Sequence, residues 1–462
     1  MSQTTPTRAT SFRRSARLSS ATSSGSSTGS STCRLTSFID PPPAASRARR
    51  HRARSSRPNS RYLRPISSLL EANLVESPRP VSKDRSVATM DYKAELGKIY
   101  QRLSAQRRLK LVIFFVTSVC NAKCRTCFYW EELNQKGDLT WDEIQKLSRT
   151  MPNFTDLWLS GGEPMLRKEL TEIIRLFYSN NGVRWVNLPT NGLLPGRTAE
   201  WVGRILTENA ELRLDLNVAL DGLGEMQDSI RAVPGNFKKT LETLEAVQPC
   251  RQRFTNLRVN INTVICAENF DHILEIAEFV KTRCAVDGHY FNIIRGNAPD
   301  AGLKKVPVER LPALYRQLQK VYAHYAPAAL RRTQGVERKA AEIYYEGTLA
   351  FHNKVQLENI ESPHPWPMPC TAGGTSIVID YNGDVRACEL RGKLANLRDF
   401  GCDFQKLWDT RTRQEELRAI VRDQCWCTHV CFIHDSLRHS PKVLLYDIPV
   451  AYLESKFANR AG

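Results

Sequence analysis

Three cysteines within eight residues form the most reactive group in the chain. Cys120, Cys124 and Cys127 follow an apolar run, Leu111 to Val116, that has the length of a buried strand. Such a loop can bring three thiolates to one side of a soft metal centre. Structural zinc and iron–sulfur clusters both use thiolate ligands, normally four from the protein. The run supplies three, and the alternatives are a cluster with one open iron, a zinc site, or buried thiols without metal.

A second motif, Gly161-Gly162-Glu163-Pro164, ends the next apolar run, 155–160. Two glycines let the backbone approach a ligand closely, and the free N–H and C=O groups of the turn could bond it. Glycine pairs are also ordinary turn residues, so the motif indicates a ligand only together with the cysteines upstream.

The elements that must position these motifs repeat regularly. Six apolar runs start about 30 residues apart, with helical patterns between them, which is the spacing of β-α units. They predict an α/β fold with a parallel sheet, curled as a partial (β/α)6 TIM-like barrel, whose strand carboxyl ends carry the chemistry. The runs are 111–119, 155–160, 183–189, 212–220, 257–265 and 289–294.

The period is lost after Gly296, and a different module follows. Asn382-Gly383 between two short apolar runs predicts a β-hairpin. Six cysteines lie near it, from Cys370 to Cys431. We therefore predict five segments: a disordered tail 1–90, the barrel core 91–300, a helical linker 301–364, the Cys-rich module 365–437 and a C-terminal tail 438–462.

Composition excludes several classes of protein. Of the 462 residues 41% are hydrophobic, enough for a core, and the net charge is +18. Residues 1–90 hold 16 Lys or Arg against four acidic residues, so the rest of the chain carries only +6. The basic charge belongs to the tail and argues against a nucleic-acid-binding fold. No apolar run approaches the roughly 20 residues of a membrane helix.

The tail and the cysteines bear on location. Residues 1–90 are rich in Ser, Arg and Pro, which predicts disorder; the alternatives are a true start at Met90 and a transit peptide. The number of cysteines, 13, is odd, and the N-terminus lacks the apolar core of a secretory signal. A reducing compartment, the cytoplasm, is therefore expected.

The spacing Cys-x3-Cys-x2-Cys after the first strand, one β-α unit before Gly-Gly-Glu-Pro, resembles the signature of the radical S-adenosylmethionine (SAM) enzymes. The resemblance covers about residues 109–300. It implies that Cys120, Cys124 and Cys127 hold a [4Fe-4S] cluster whose fourth iron binds SAM. It also implies that the turn from Gly161 to Pro164 binds the methionyl amino group. Family members usually have an aromatic residue before the third cysteine, where this chain has Thr126.

Further matches follow successive strands. Asn191, Asp221 and Asn262 lie after or within the third, fourth and fifth strands, where family members place polar groups towards SAM or the substrate. The resemblance therefore implies that these three residues bind the cofactor. The alternative for each is a turn or cap.

The hairpin and its cysteines resemble the SPASM and Twitch extensions, which carry auxiliary clusters. The full SPASM pattern has seven cysteines, and this module has six. The resemblance implies one auxiliary [4Fe-4S] cluster, and the alternatives are two clusters or a structural zinc. Cys402 is either a ligand or a cysteine without a role in metal binding. Its predicted ligands are drawn from Cys370, Cys388, Cys425, Cys427 and Cys431. The cysteines that match no motif are Cys33, Cys250, Cys266 and Cys284.

The resemblance implies an enzyme that receives an electron from a flavodoxin- or ferredoxin-type donor. It would cleave SAM to methionine and a 5′-deoxyadenosyl radical that abstracts hydrogen from a substrate. Such extensions indicate peptide or cofactor maturation, with another small molecule or a lipid as alternatives; oxidoreductase, transferase and lyase chemistry all stay open. A non-catalytic zinc or nucleic-acid-binding protein would leave the glycine pair unexplained.

Overall fold

The computed structural model describes residues 108–330, 334–362 and 364–458. All of them belong to one compact unit, Val87–Gly462. The predicted tail 1–90 and Cys33 lie outside the described residues.

Nine strands form a single sheet in the order β6-β5-β4-β3-β2-β1-β7-β8-β9. Every neighbouring pair from β6 to β7 is parallel, whereas β8 and β9 are antiparallel additions. The six predicted strands are all present in the predicted order, which confirms the α/β fold with its parallel sheet. The strands are Leu111–Phe115, Asp156–Ser160, Trp185–Thr190, Arg213–Ala219, Leu257–Ile265, Gly288–Ile293, Ser376–Ile379, Asp384–Arg386 and Lys393–Asn396 (β1 to β9).

Helices connect the strands and cover the sheet. A capping box formed by Thr140 and Glu143 begins α1, and Gly182 with φ of 71° ends α2, as their sequence patterns predict. The helices are Trp141–Thr150, Leu170–Asn181, Pro195–Glu208, Glu225–Arg231, Asn236–Ala246, Gln248–Arg253, Ile273–Arg283, Leu311–Ala329, Gly335–Glu361, Phe404–Trp408, Arg411–Arg422, Val430–Leu437 and Ile448–Ala458 (α1 to α13). None of the helices in the described ranges is both long and apolar enough to cross a membrane.

Both faces of the sheet are buried, which is typical of parallel sheets. In β1, Val112 and Phe114 point into a large core shared with α1, α2 and α3. Leu111, Ile113 and Phe115 point to the opposite face, where a second core contains residues of α9, α11 and α12. We call the first of these the outer core and the second the inner core. The Cys-rich segment therefore packs against the inner face of the sheet, which is the face that carries the inner core.

The sheet continues through the Cys-rich segment. The predicted hairpin is present, with Gly383 at φ of 87° in its turn. Its first strand, β7, pairs with β1 in parallel, with Leu111 opposite Ser376. This pairing satisfies the edge of β1 that a six-stranded barrel core would leave open. The segment boundaries near residues 300 and 365 stay predictions.

Candidate metal and cofactor site

The cysteine loop runs from β1 to α1 and is held by its own side chains. Asp138 accepts hydrogen bonds from the hydroxyls of Thr117 and Ser118 at 2.6 and 2.9 Å. Asn134 accepts the backbone N–H of Cys120 at 3.0 Å. Because these bonds join the two ends of the loop, the protein itself positions its first cysteine.

The three thiols of the loop lie together. Cys120, Cys124 and Cys127 are half-buried, and each acts electrostatically on another. Burial raises the pKa of Cys120 to about 12 and that of Cys127 to about 11. Both thiols are therefore protonated at neutral pH unless a cation stabilises the thiolate, so binding of a metal here releases protons.

Arg231 places a positive charge beside this group. Its Nη1 lies 3.6 Å from the Sγ of Cys124. Its Nη2 lies 2.8 Å from Oδ2 of Asp221, whose side chain is fully buried. The other oxygen of Asp221 accepts the N–H of Val264 at 2.8 Å. Asp221, predicted as a cofactor ligand, is thus placed to orient Arg231 towards the cysteine.

The Gly-Gly turn lies directly against the cysteine loop. The N–H groups of Gly162 and Glu163 donate to the carbonyls of Thr117 and Val119, both at 2.8 Å. These two donors are therefore occupied, contrary to the expectation that they would be free for a ligand. Among the described residues no hydrogen bond ends on the carbonyl oxygens of Gly161 or Gly162, so these acceptors can receive an ammonium group.

Glu163 is a buried carboxylate that shapes the turn. One oxygen accepts the N–H of Met165 at 3.1 Å, and the other accepts the N–H of Asn191 at 2.7 Å. Burial raises the pKa of Glu163 to about 7, although these hydrogen bonds oppose the shift. Pro164 begins the short 3-10 turn that follows. Glu163 thereby joins the end of β2 to the end of β3.

The other two predicted cofactor ligands lie directly after β3 and within β5. Asn191 donates to Oδ1 of Asn121 in the cysteine loop at 2.8 Å. Asn262 is half-buried on the inner face of β5, opposite Ala219 and Tyr290 on the neighbouring strands. The structure therefore brings Asn191 to the loop and leaves Asn262 facing the barrel interior.

The C-terminal cysteines form a second group. The thiols of Cys370 and Cys425 share a hydrogen bond, which lowers the pKa of Cys425, and Arg391 lowers it further. Cys388 and Cys427 act electrostatically on Cys425 as well. Cys431 lies in the first turn of α12, beside Arg295 and Glu389. Burial raises the pKa values of Cys388, Cys427 and Cys431 to about 11, 12 and 12.

The remaining described cysteines lie elsewhere. Cys402 belongs to the outer core, where Glu143 and Arg398 are its charged neighbours. Cys266 is buried in the same core, and Cys250 and Cys284 pack against it, as small apolar residues do. No three His, Cys, Asp or Glu side chains of the described residues are arranged to hold one metal ion. Cluster ligands differ from such a set because they bind separate irons.

Sequence patterns did not assign a role to the charged residues around the cysteines. Arg231 lies 107 residues along the chain from Cys124, and Arg295 lies 168 residues from Cys127, so no spacing pattern links them to the cysteines. Asp138 comes 11 residues after Cys127, and Glu389 directly follows Cys388. What the four residues share is a buried or half-buried charge close to a cysteine segment, which only the folded arrangement reveals.

The chain is similar to several known proteins. Residues 114–280 match the family model of the Radical SAM superfamily. The chain is 24% identical over 339 residues to the AdoMet-dependent heme synthase of Oleidesulfovibrio alaskensis, covering 71% of this chain and 81% of that protein. It is 29% identical over 240 residues to the GTP 3′,8-cyclase of Tolumonas auensis, covering 50% and 67%. Among solved structures it is similar to anSMEcpe with bound AdoMet, with 16% identity, a TM-score of 0.48, and 76% and 97% coverage.

Proposed function

Because residues 114–280 are a Radical SAM domain, the chain belongs to the Radical SAM superfamily of enzymes, and we propose that it generates a substrate radical from SAM. A [4Fe-4S] cluster with bound SAM, which this domain implies, would pass one electron to SAM, and the cleaved SAM would give methionine and a 5′-deoxyadenosyl radical able to abstract hydrogen from a substrate. The observation that carries the proposal is the group of three thiols held against the Gly-Gly turn.

The residues present fit the cluster. Cys120, Cys124 and Cys127 supply three soft ligands on one loop, and the loop is already ordered by Asp138 and Asn134. Arg231 lies 3.6 Å from Cys124 Sγ and places a positive charge beside it. A cluster with three protein ligands leaves one iron for a ligand from outside, which is the position that SAM requires.

The residues also fit SAM. The carbonyls of Gly161 and Gly162 would accept the amino group of its methionyl part, and Glu163 holds that turn in place through its two backbone hydrogen bonds. Asn191, at the cysteine loop, and Asn262, facing the barrel interior, would contact the remainder of the cofactor. Asp221 contributes through Arg231.

We propose one auxiliary [4Fe-4S] cluster in the C-terminal group of cysteines. Cys425 interacts electrostatically with Cys370, Cys388 and Cys427, which makes four thiols, the usual number of protein ligands for such a cluster. Cys431 lies in the helix that follows and is the fifth candidate.

The substrate is proposed to be a precursor in cofactor or peptide maturation. Cofactor maturation is favoured by the heme synthase and GTP 3′,8-cyclase among the relatives. The electron donor is proposed to be a flavodoxin- or ferredoxin-type protein, and the location the cytoplasm.

The test uses full-length protein purified without oxygen. The expected result is iron and sulfide bound in cluster ratios, with 5′-deoxyadenosine formed from SAM under dithionite. Cys124→Ala should abolish that product, whereas Cys284→Ala, at a half-buried cysteine outside both groups, should leave it unchanged. Stoichiometric zinc without SAM cleavage would instead identify a zinc-binding protein, and retained cleavage in Cys124→Ala would refute the ligand assignment.

A further inference from the structure

Arg295 lies between the two groups of cysteines. It follows β6 at the carboxyl edge of the sheet, with 24% of its side chain exposed. Its guanidinium carbon stands 4.4 Å from the centre of the Phe128 ring, and Phe128 is the residue after Cys127. The chain approaches so closely here that a Cβ on Gly296 would lie 2.8 Å from the Cβ of Phe128. One face of Arg295 is thus fixed against the first cysteine loop.

The other side of Arg295 contacts the second group. Its Nη2 donates to Oε2 of Glu389 at 3.1 Å, and Glu389 is the residue after Cys388. The side chain of Glu389 is only 6% exposed. Nε2 of His429, a residue between Cys427 and Cys431, lies 3.1 Å from the same oxygen. His429 is buried, and Arg295 is the permanently charged cation that faces Glu389.

The charge of Arg295 reaches thiols on both sides. It stands 4.4 Å from the ring of Phe128, which follows Cys127 in the first group, and 3.1 Å from Glu389, which follows Cys388 in the second. Two other arginines differ in this respect. The thiols that Arg231 acts on, Cys124 and Cys127, both belong to the first group. Arg391, paired with Glu416, lies 3.9 Å from Cys425 Sγ in the second group.

We propose that Arg295 sets the reduction potentials of both clusters together, as a single cation placed between them. The inference rests on the two-cluster function proposed above. Each cluster gains one negative charge when it takes up one electron, and a nearby positive charge stabilises that reduced form. The partly desolvated position of Arg295 strengthens this effect relative to a cation in water. Arg231 and Arg391 each act on one cluster only.

The experiment is an anaerobic redox titration of full-length protein, with each reduced cluster followed by electron paramagnetic resonance. A Cys124→Ala background isolates the auxiliary cluster. The variants are Arg295→Gln, Arg295→Lys as the charge-conserving version, and Arg391→Gln as the one-sided control. Iron content is measured for every preparation.

Arg295→Gln should make reduction of both clusters about tenfold less favourable, which is a shift of about 59 mV for a one-electron couple. Arg295→Lys should restore both potentials towards those of the unsubstituted protein. Arg391→Gln should shift the auxiliary cluster alone. Glu389→Gln should shift the potentials in the opposite direction, because it removes the negative charge that opposes Arg295.

Two results would overturn the proposal while leaving the function intact. In one, Arg295→Gln moves one potential or neither in protein that binds about eight irons per chain. In the other, Arg295→Lys behaves like Arg295→Gln, which would assign the effect to stacking on Phe128. About four irons per chain in unsubstituted protein would overturn the auxiliary cluster itself, and with it the proposal.

Discussion

Gly162→Ala is expected to abolish SAM cleavage in a protein that still folds. A Cβ on residue 162 would lie 2.7 Å from the carbonyl oxygen of Ser118 and 2.5 Å from the carbonyl carbon of Val119, closer still to its oxygen. All three are backbone atoms of the segment that leads into Cys120. They cannot rotate away as a side chain would, so the loop itself must move.

The size of the effect follows from these distances. Ordinary contact with a Cβ begins near 3.4 Å, so the two segments must separate by about 1 Å, and overpacking of this kind costs about 1–3 kcal/mol. Since domains are stable by about 5–15 kcal/mol, the variant should fold. A misplacement of about 1 Å at reacting groups can lower a rate by about 100-fold. We therefore expect loss of SAM cleavage with a modest loss of stability.

The assay compares 5′-deoxyadenosine formation, iron content and thermal unfolding in Gly162→Ala and Gly196→Ala. The control lies in α3, where a Cβ would meet nothing within 4 Å, so its activity should equal that of the unsubstituted protein. If Gly162→Ala cleaved SAM as fast as the control, the contact between the glycine turn and the cysteine loop would have no role in the chemistry.

Three further predictions concern other parts of the structure. Cys431→Ala should lower the iron content by up to about four per chain and leave some uncoupled SAM cleavage, whereas Cys402→Ala should change neither; equal iron in both variants would remove Cys431 from the ligand set. Glu163→Gln should raise the KM for SAM about tenfold, because its amide would face a backbone N–H, a mismatch worth about 1–3 kcal/mol; an unchanged KM would contradict this. Arg398→Gln should cost about 1 kcal/mol of unfolding free energy at neutral pH, discounted for partial exposure, because Arg398 lowers the pKa of Glu143 to about 2. That difference should fade as the pH falls from about 5 to 2, where Glu143 becomes protonated, and a difference independent of pH in urea unfolding would contradict the ion pair.

The order of elements was predictable because it depends on local patterns. Apolar runs of strand length, the capping box at Thr140 and the stop at Gly182 each lie within a few residues of the structure that they form. The hairpin at Asn382-Gly383 is equally local, since a two-residue turn with positive φ selects those residues. The two cysteine groups could be found for the same reason, because their spacing along the chain is short.

Other features depended on contacts between distant residues. The pairing of β7 with β1, the position of Cys402 in the outer core and the use of Asp221 to hold Arg231 have no local signature. The occupied N–H groups of the Gly-Gly turn are a further case. They depend on how closely the turn packs against the cysteine loop, which lies about 40 residues earlier in the chain.

The sequence by itself therefore determined which elements form and which residues are candidates to bind iron and SAM, since both are encoded in short spacings. Only the tertiary structure decided which charges surround those ligands. Arg295 reaches Phe128 and Glu389, residues 167 and 94 positions away along the chain. Such neighbours are set by the packing of the whole sheet and its helices, because no local pattern specifies a contact across that separation.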